Sequence, residues 1–493
     1  MRFGEIILHS KFVRNLNYLV IVSLLAIVGC FIFKDLNWVL GDDDLFLRTT
    51  MIGKPSHAWT GRGRFWPLGL CDYSVLLLLP KAIGRTIEVH FAYNLIIMSI
   101  AIFTLYHFFN KLNEKNYGLS LFFILILFGV SSFIQIHNSC IYPERMMFFM
   151  QVMFMYFWLR GYQNSSTRSY FLSWIFCSYL IFSKEPVFAA ILIVALTNLI
   201  WGWNQLTEKD RLFQFSQIFS AVTYLGIYVY RYFYRNSGDS LYGGGNLIFS
   251  QDVDALGTIK AMFVGEPILG LIFLFALVRA YFVLIKSDRR TLFIDSLLFG
   301  AVTYALAYIV LAMTHSYYVF PALVFAFPSL VFWTNYLWKA NKFASFLIIL
   351  LCGSTTYFSF NISKDFTQST YKSRNNDMKV VDFITDSYIN GKYVYLFTNG
   401  ESLSRFRIGA VHGNVWAFDV FTHFTNYVLK SKNYLRDNNI LRPLEKLEYA
   451  FDDGIILCPV EMDQKYKDYL ESRGFKVQRR AFGIDVYAQQ LSE

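Results

Sequence analysis

Apolar runs of membrane-crossing length recur from the start of this 493-residue chain to about Phe360. A helix needs about 20 such residues to span the hydrocarbon core of a bilayer. Qualifying segments begin near Asn17 (to about Phe33), Phe91 (to Phe109), Tyr117 (to Ile136), Met146 (to Leu159), Tyr170 (to Phe182) and Val187 (to Trp203). They continue from Phe213 (to Tyr230), Pro267 (to Ile285), Leu292 (to Met313), Tyr317 (to Trp338) and Phe343 (to Phe360). The expected fold is therefore a polytopic α-helical membrane protein with about eleven spans, those from Met146 and Tyr170 being the shortest.

Composition agrees with that reading. The chain is 55% hydrophobic, 19% aromatic and only 16% charged, whereas a soluble domain carries about 25% charged residues. A disordered chain, a secreted disulfide scaffold and an ordinary soluble enzyme are excluded. The net charge of +10 does not imply nucleic acid, because basic residues in cytoplasmic loops orient membrane helices. With the N-terminus inside, the cytoplasmic segments hold Arg2, Lys11 and Arg14, Lys111 and Lys115, Arg160 and Arg168, Lys209 and Arg211, Lys286, Arg289 and Arg290, and Lys339 and Lys342. The short opposite loops hold mainly Arg145, Lys184 and Arg235. An odd number of spans then puts the C-terminal region outside.

Two local patterns invite misreading. Ile27-Val28-Gly29-Cys30 resembles a lipoprotein cleavage box, but the apolar run continues through Phe33, so the segment reads as an uncleaved first helix. Gly243-Gly244-Gly245 has neither a preceding strand nor a following Lys-Ser/Thr and reads as linker rather than a phosphate loop. The six cysteines include no CxxC pair, so a structural zinc site is not expected. Cys71 and Cys140 fall in loops on the same side, where a bridge is open to them.

From residue 364 to 493 charges become frequent and nearly balanced, and the apolar runs shorten. Helices are expected at Asp377 to Asp386 and Asp463 to Arg473, the latter closed by Gly474. Strands are expected at Tyr393 to Phe397, at Ile455 to Leu457 before Pro459, and once or twice between Lys476 and Tyr487. The expected organisation is a membrane domain over 1–363, with a long first external loop at 35–89, followed by an extracytoplasmic α/β domain over 364–493.

The chemistry gathers in the loops on the external side. Asp42-Asp43-Asp44 follow the first span. Adjacent carboxylates raise one another's pKa and can serve as a general base or hold a divalent cation; Asp42 also suits the N-cap of a short interfacial helix. Later in that loop, Trp59-Thr60-Gly61-Arg62-Gly63-Arg64-Phe65-Trp66 combines guanidinium forks suited to phosphate with aromatic rings suited to a sugar or the membrane interface. Tyr142-Pro143-Glu144-Arg145 and Ser183-Lys184-Glu185-Pro186 place ionised groups beside apolar spans, where each costs roughly 2.5–3.5 kcal/mol at mid-membrane. Either pair also fits a self-neutralising turn. His315 ends another span, a position that also suits a hydrogen-bonded interfacial residue. All these residues come from four loops on one face, an arrangement suited to a lipid-borne phosphate and a hydroxyl acceptor.

Asp42-Asp43-Asp44 after the first span, Gly63-Arg64-Phe65 later in its loop and Ser183-Lys184-Glu185 together resemble the GT-C superfamily of polyprenyl-phosphate-dependent glycosyltransferases. Within it, the chain most resembles O-antigen-modifying glucosyltransferases of serotype conversion. The likeness covers the membrane part, and its motifs are short. It implies inverting transfer of one sugar, glucose, from undecaprenyl phosphate to lipopolysaccharide O-antigen at the periplasmic face of a bacterial inner membrane. It implies Asp43 or Asp44, beside Asp42, as base, with Arg62, Arg64, Arg145, Lys184 and His315 at the donor phosphate. Glu144 and Glu185 would orient the acceptor or those cations. A divalent metal, Mg or Mn, at Asp42, Asp43 and Asp44 stays open, since relatives differ in using one. The partners implied are the lipid-linked donor, a lipid-linked glycan acceptor and membrane lipids. The alternatives are an O-antigen polymerase or ligase, which a large late external loop would favour although here the large loop comes first, and a transporter or flippase, which broken helices repeated in two halves would favour although the sequence shows no such symmetry.

Overall fold

The computed structural model describes residues 3–34, 67–80, 87–138, 142–234, 255–289, 291–311, 313, 315–397, 441–444, 446–447, 454–459, 464–481 and 484–489. The chain divides into two compact units, one of residues 1–34 and 49–367 and the other of residues 35–48 and 368–493.

The first unit is helical. In chain order it holds α1 (Phe3–Lys34), a 3-10 helix (Cys71–Leu78), α2 (Ile87–Leu112), α3 (Tyr117–Gly129), α4 (Ser131–His137), α5 (Glu144–Asn164), α6 (Thr167–Ile181) and α7 (Val187–Gly202). There follow α8 (Glu208–Tyr234), α9 (Ala255–Gly265), α10 (Ile268–Leu284), α11 (Leu292–Val310), a 3-10 turn (Ser316–Val319), α12 (Phe320–Ala340) and α13 (Lys342–Ile389), whose last part belongs to the second unit. The apolar segments picked out above fall largely on helices, the Tyr117–Ile136 run on two that are bent apart. Among the described residues, six helices are long and apolar enough to cross a membrane, or eight if each of two bent pairs is one crossing. The remaining three expected spans are α5, α6 and α7. With 15 and 16 residues, α6 and α7 reach only about 22–24 Å at 1.5 Å per residue, and α5 carries Glu144, Arg145 and Gln151 among its apolar residues.

The core is aromatic and aliphatic and surrounds α12, in which Phe320 to Val331 are buried without a break. A helix apolar on all sides belongs inside a bundle. Small residues permit the closest crossings. On α11, a Cβ at Gly300 would lie 2.6 Å from Val194 Cγ2 and 3.1 Å from the Ala190 carbonyl of α7.

The two bends are chemically joined. α3 and α4 meet at 65°, α9 and α10 at 109°. Glu266, in the second bend, is fully buried; its Oε1 accepts from the Ser132 N–H at the first bend. Its Oε2 accepts from the Ser359 hydroxyl of α13 at 2.9 Å, and the Ser359 oxygen accepts from the Ser131 N–H at 2.7 Å. The carboxylate and the hydroxyl it holds thus each take up one backbone donor that a broken helix leaves orphaned.

Several basic turns meet at one end of the bundle. Lys339 pairs with Glu114 at 2.6 Å, and Lys209 donates to the Ser165 carbonyl at 3.0 Å. Nearby in the chain, Arg279 forks the buried Asp295 at 3.0 and 2.8 Å and lies 3.9 Å over the Trp333 ring.

The second unit holds the end of α13, five strands and α14 (Gln464–Ser472). α13 runs on for 48 residues to Ile389, where the sequence suggests a separate helix at Asp377 to Asp386; no proline or glycine interrupts it after Gly353. The strands β1 (Val394–Phe397), β2 (Leu441–Leu444), β3 (Ile455–Pro459), β4 (Phe475–Ala481) and β5 (Ile484–Gln489) form one sheet in the order β2-β1-β3-β5-β4. β1 is parallel to β2 and β3, whereas β5 is antiparallel to β3 and β4. Gly474, at φ +82°, supplies the left-handed residue that ends α14. Cys458 lies opposite Asp485; burial, and then that charge, push its thiol well above the ordinary range.

Gly300→Val should overpack the α7–α11 crossing and cost about 1–3 kcal/mol. Gly226→Ala, where a Cβ meets nothing within 4 Å, should be neutral or gain up to about 1 kcal/mol. Thermal unfolding of the purified chain in detergent reads both.

Candidate functional site

Four elements converge at the end of the bundle where α5 begins. α5 starts directly after Pro143, which holds the helix-entry backbone (φ −60°, ψ −23°). This puts the Glu144 carboxylate in the first turn, where the helix dipole favours a negative charge. The turn from α6 to α7 is equally compact. Ile181 ends one helix, Pro186 precedes the other, and the Lys184 carbonyl accepts from the Val187 N–H at 3.3 Å.

That turn carries Lys184 inward. Its ammonium donates to Glu144 Oε1, and both side chains are almost wholly buried. The ammonium also lies 4.4 Å from the ring centre of Tyr318, 5.6 Å from that of Tyr317 and 5.9 Å from that of Tyr308. Tyr308 comes from α11 and the other two from the 3-10 turn before α12. Three ring faces around a desolvated cation add cation–π attraction to the ion pair. Glu144 Oε2 is buried and has no hydrogen-bond partner among the described residues, so one acceptor of this carboxylate is left open by them.

A second buried pair adjoins the first in sequence. Arg145 forks Asp72 at 2.8 and 3.2 Å, with both side chains 2% exposed. Its guanidinium stacks 3.8 Å above the Tyr73 ring. Asp72 and Tyr73 lie on the 3-10 helix Cys71–Leu78 at the described end of the long first loop. This segment is strapped down: the Leu68 N–H donates to the Phe182 carbonyl at 3.1 Å, and the Tyr179 hydroxyl donates to the Leu68 carbonyl at 3.1 Å. The Tyr73 hydroxyl meets the Asn94 amide of α2 at 3.0 Å. Burial, and then the Asp72 charge, raise the Cys71 thiol, which donates to the Pro67 carbonyl at 3.2 Å. Cys140 lies outside the described residues.

Five of the ten candidate residues are described, and all five lie at this end. Glu144 and Lys184 are joined, Arg145 is occupied by Asp72, Glu185 is half-buried, and His315 is exposed with its ring stacked 5.6 Å from Tyr317. Asp42, Asp43, Asp44, Arg62 and Arg64 lie outside the described residues. Asp72 and the tyrosines around Lys184 were not among the candidates. A lone carboxylate within the apolar run Leu68–Leu79 was the available signal for Asp72. Among the described residues no three His, Cys, Asp or Glu side chains gather to hold a metal, and the two buried carboxylates here already face cations. In chemical terms the place offers ammonium donors, an unsatisfied carboxylate acceptor and ring faces, the groups that a hydroxyl, a phosphate and a sugar ring engage.

No protein-family model matches the chain, and no curated protein matches it in sequence. Among solved structures it is similar to ArnT from Cupriavidus metallidurans, solved bound to undecaprenyl phosphate, with 10% identity, a TM-score of 0.50 and coverage of 96% of this chain and 98% of that one. An oligosaccharyltransferase from Archaeoglobus fulgidus, solved with Zn and sulfate, aligns over 95% of this chain and 73% of that one at 11% identity and a TM-score of 0.48. The likeness to ArnT is one of overall fold.

Asp72→Ala strands the buried Arg145 charge and should destabilise the chain by about 3–5 kcal/mol. Adding Arg145→Met should recover most of that loss, because an apolar side chain replaces the unpaired charge. Thermal unfolding of the single and double variants measures the coupling.

Proposed function

We propose that this chain is a multi-pass membrane glycosyltransferase that moves one sugar from a polyprenyl-phosphate donor to a lipid-linked glycan. The finer reading is inverting transfer of glucose from undecaprenyl phosphate to lipopolysaccharide O-antigen at the periplasmic face of a bacterial inner membrane. The observation that carries the reading is the buried Lys184–Glu144 contact with its unsatisfied carboxylate oxygen, on a fold shared with a protein solved with undecaprenyl phosphate. The positive-inside pattern supports an N-terminus inside, about eleven spans, and residues 364–493 outside as an acceptor-side domain.

The reaction requires one base and one set of cations. In this reading Asp43 or Asp44, beside Asp42, removes the acceptor hydroxyl proton. The acceptor oxygen then attacks the anomeric carbon from the face opposite the phosphate. The bond from that carbon to the phosphate oxygen breaks, and polyprenyl phosphate leaves with the electron pair. Lys184, with Arg62, Arg64 and His315, offsets the charge that grows on the phosphate. Arg145 acts through Asp72 by holding the first loop against the α6–α7 turn. Glu144 holds Lys184 and, with Glu185, orients the acceptor.

Lys184→Met should lower kcat about 10²–10³-fold, the scale of losing one preorganised group that stabilises developing charge. Asp43→Asn and Asp44→Asn, made separately, should leave protein level normal, and at least one should abolish transfer from polyprenyl-phosphate glucose. Full activity in both would remove the acidic loop from the mechanism. Mass spectrometry of the host's surface polysaccharide with and without the gene should show one added hexose per repeat. A change in chain length instead would favour the polymerase.

A further inference from the structure

At the end of the bundle opposite Glu144 lies a cavity of about 200 Å³. Trp158 and Tyr162 of α5 line it, roughly 21–27 Å along that helix from Glu144 at 1.5 Å per residue. The cavity is therefore distinct from the candidate site. Its walls include Trp158 and Phe293, whose rings meet edge to face at 4.4 Å.

Its polar lining is incompletely satisfied. Gln214, on α8, is 1% exposed, and neither its amide nitrogen nor its amide oxygen has a partner among the described residues. Arg289, before α11, lines the same cavity, and its Nε is buried with no partner among the described residues. An amide with both atoms unpaired costs stability unless something in the cavity pairs with them. Gln214 asks for a group that both donates and accepts, which is a hydroxyl. Arg289 asks for an anion with oxygen acceptors. Lys209, early in α8, and Lys286 are exposed around this end, with the half-buried Arg211 beside them on Trp203, so the surroundings favour an anionic membrane leaflet.

We propose that this cavity binds a phosphate ester bearing free hydroxyls, with the phosphate on Arg289 and a hydroxyl on Gln214. The shared chemistry is phosphoglycerol, supplied either by the headgroup of an anionic phospholipid or by a soluble glycerol phosphate. The inference does not rest on the proposed sugar transfer, and activity at the other end is not its readout.

The test is native mass spectrometry of the full chain in neutral detergent, titrated with phosphatidylglycerol, with phosphatidylcholine and with free glycerol phosphate. Phosphatidylglycerol should bind more tightly than phosphatidylcholine, and Arg289→Gln should weaken it about tenfold, the effect of losing one charge-assisted hydrogen bond. Gln214→Leu should weaken it as well while holding or raising the melting temperature, so its lost binding is not misfolding. If free glycerol phosphate binds with the same sensitivity to both variants, the source is soluble and the proposed chemistry stands. Equal binding of the two lipids with no binding of glycerol phosphate overturns the proposal. So does parental affinity in both variants.

Discussion

The helical unit depends on how four charges are buried together where α5 begins. Moving an isolated carboxylate or ammonium out of water costs several kcal/mol even after relaxation. Here Lys184 meets Glu144 and Arg145 meets Asp72, each pair nearly or wholly buried, so the group carries no net charge. The pairing also fixes positions. Arg145 can reach Asp72 only if the end of the first loop lies against the α6–α7 turn, which is where the Leu68–Phe182 and Tyr179–Leu68 hydrogen bonds hold it. Charge neutralisation and loop placement are one constraint.

The same principle operates elsewhere in the unit at different chemical cost. Glu266 accepts one amide donor at the first bend and one hydroxyl donor from α13, and so ties α3–α4, α9–α10 and α13 into one network. Arg279 and Asp295 form a bidentate pair under Trp333 at the basic end. Those groups are fully engaged. Glu144 Oε2 and Gln214 are not, and this contrast separates places where polar groups hold the fold from places where they remain available to a ligand.

Much of the helical unit was legible in the sequence. The apolar runs fold largely as helices, because a long apolar segment with few breakers can satisfy its backbone only internally. The two bends were less legible. Gly129 stands at one and the Gly265-Glu266-Pro267 step at the other, yet a glycine or proline inside an apolar run does not state an angle. The candidate site was half legible. Glu144, Arg145 and Lys184 stood out as charges beside apolar segments. Asp72 did not, because its partner lies 73 positions away, and no local pattern records such a distance.

By itself the sequence determined a helical chain with apolar segments of membrane length and charged turns between them, because hydropathy and charge are properties of each segment alone. Only the tertiary structure decided which opposite charges meet. It gave Lys184 to Glu144 within a ring of tyrosines and Arg145 to Asp72 rather than leaving both cations facing outward. Partner choice follows from which helix ends the packed core brings within about 3 Å of each other, and that depends on every crossing in the bundle at once.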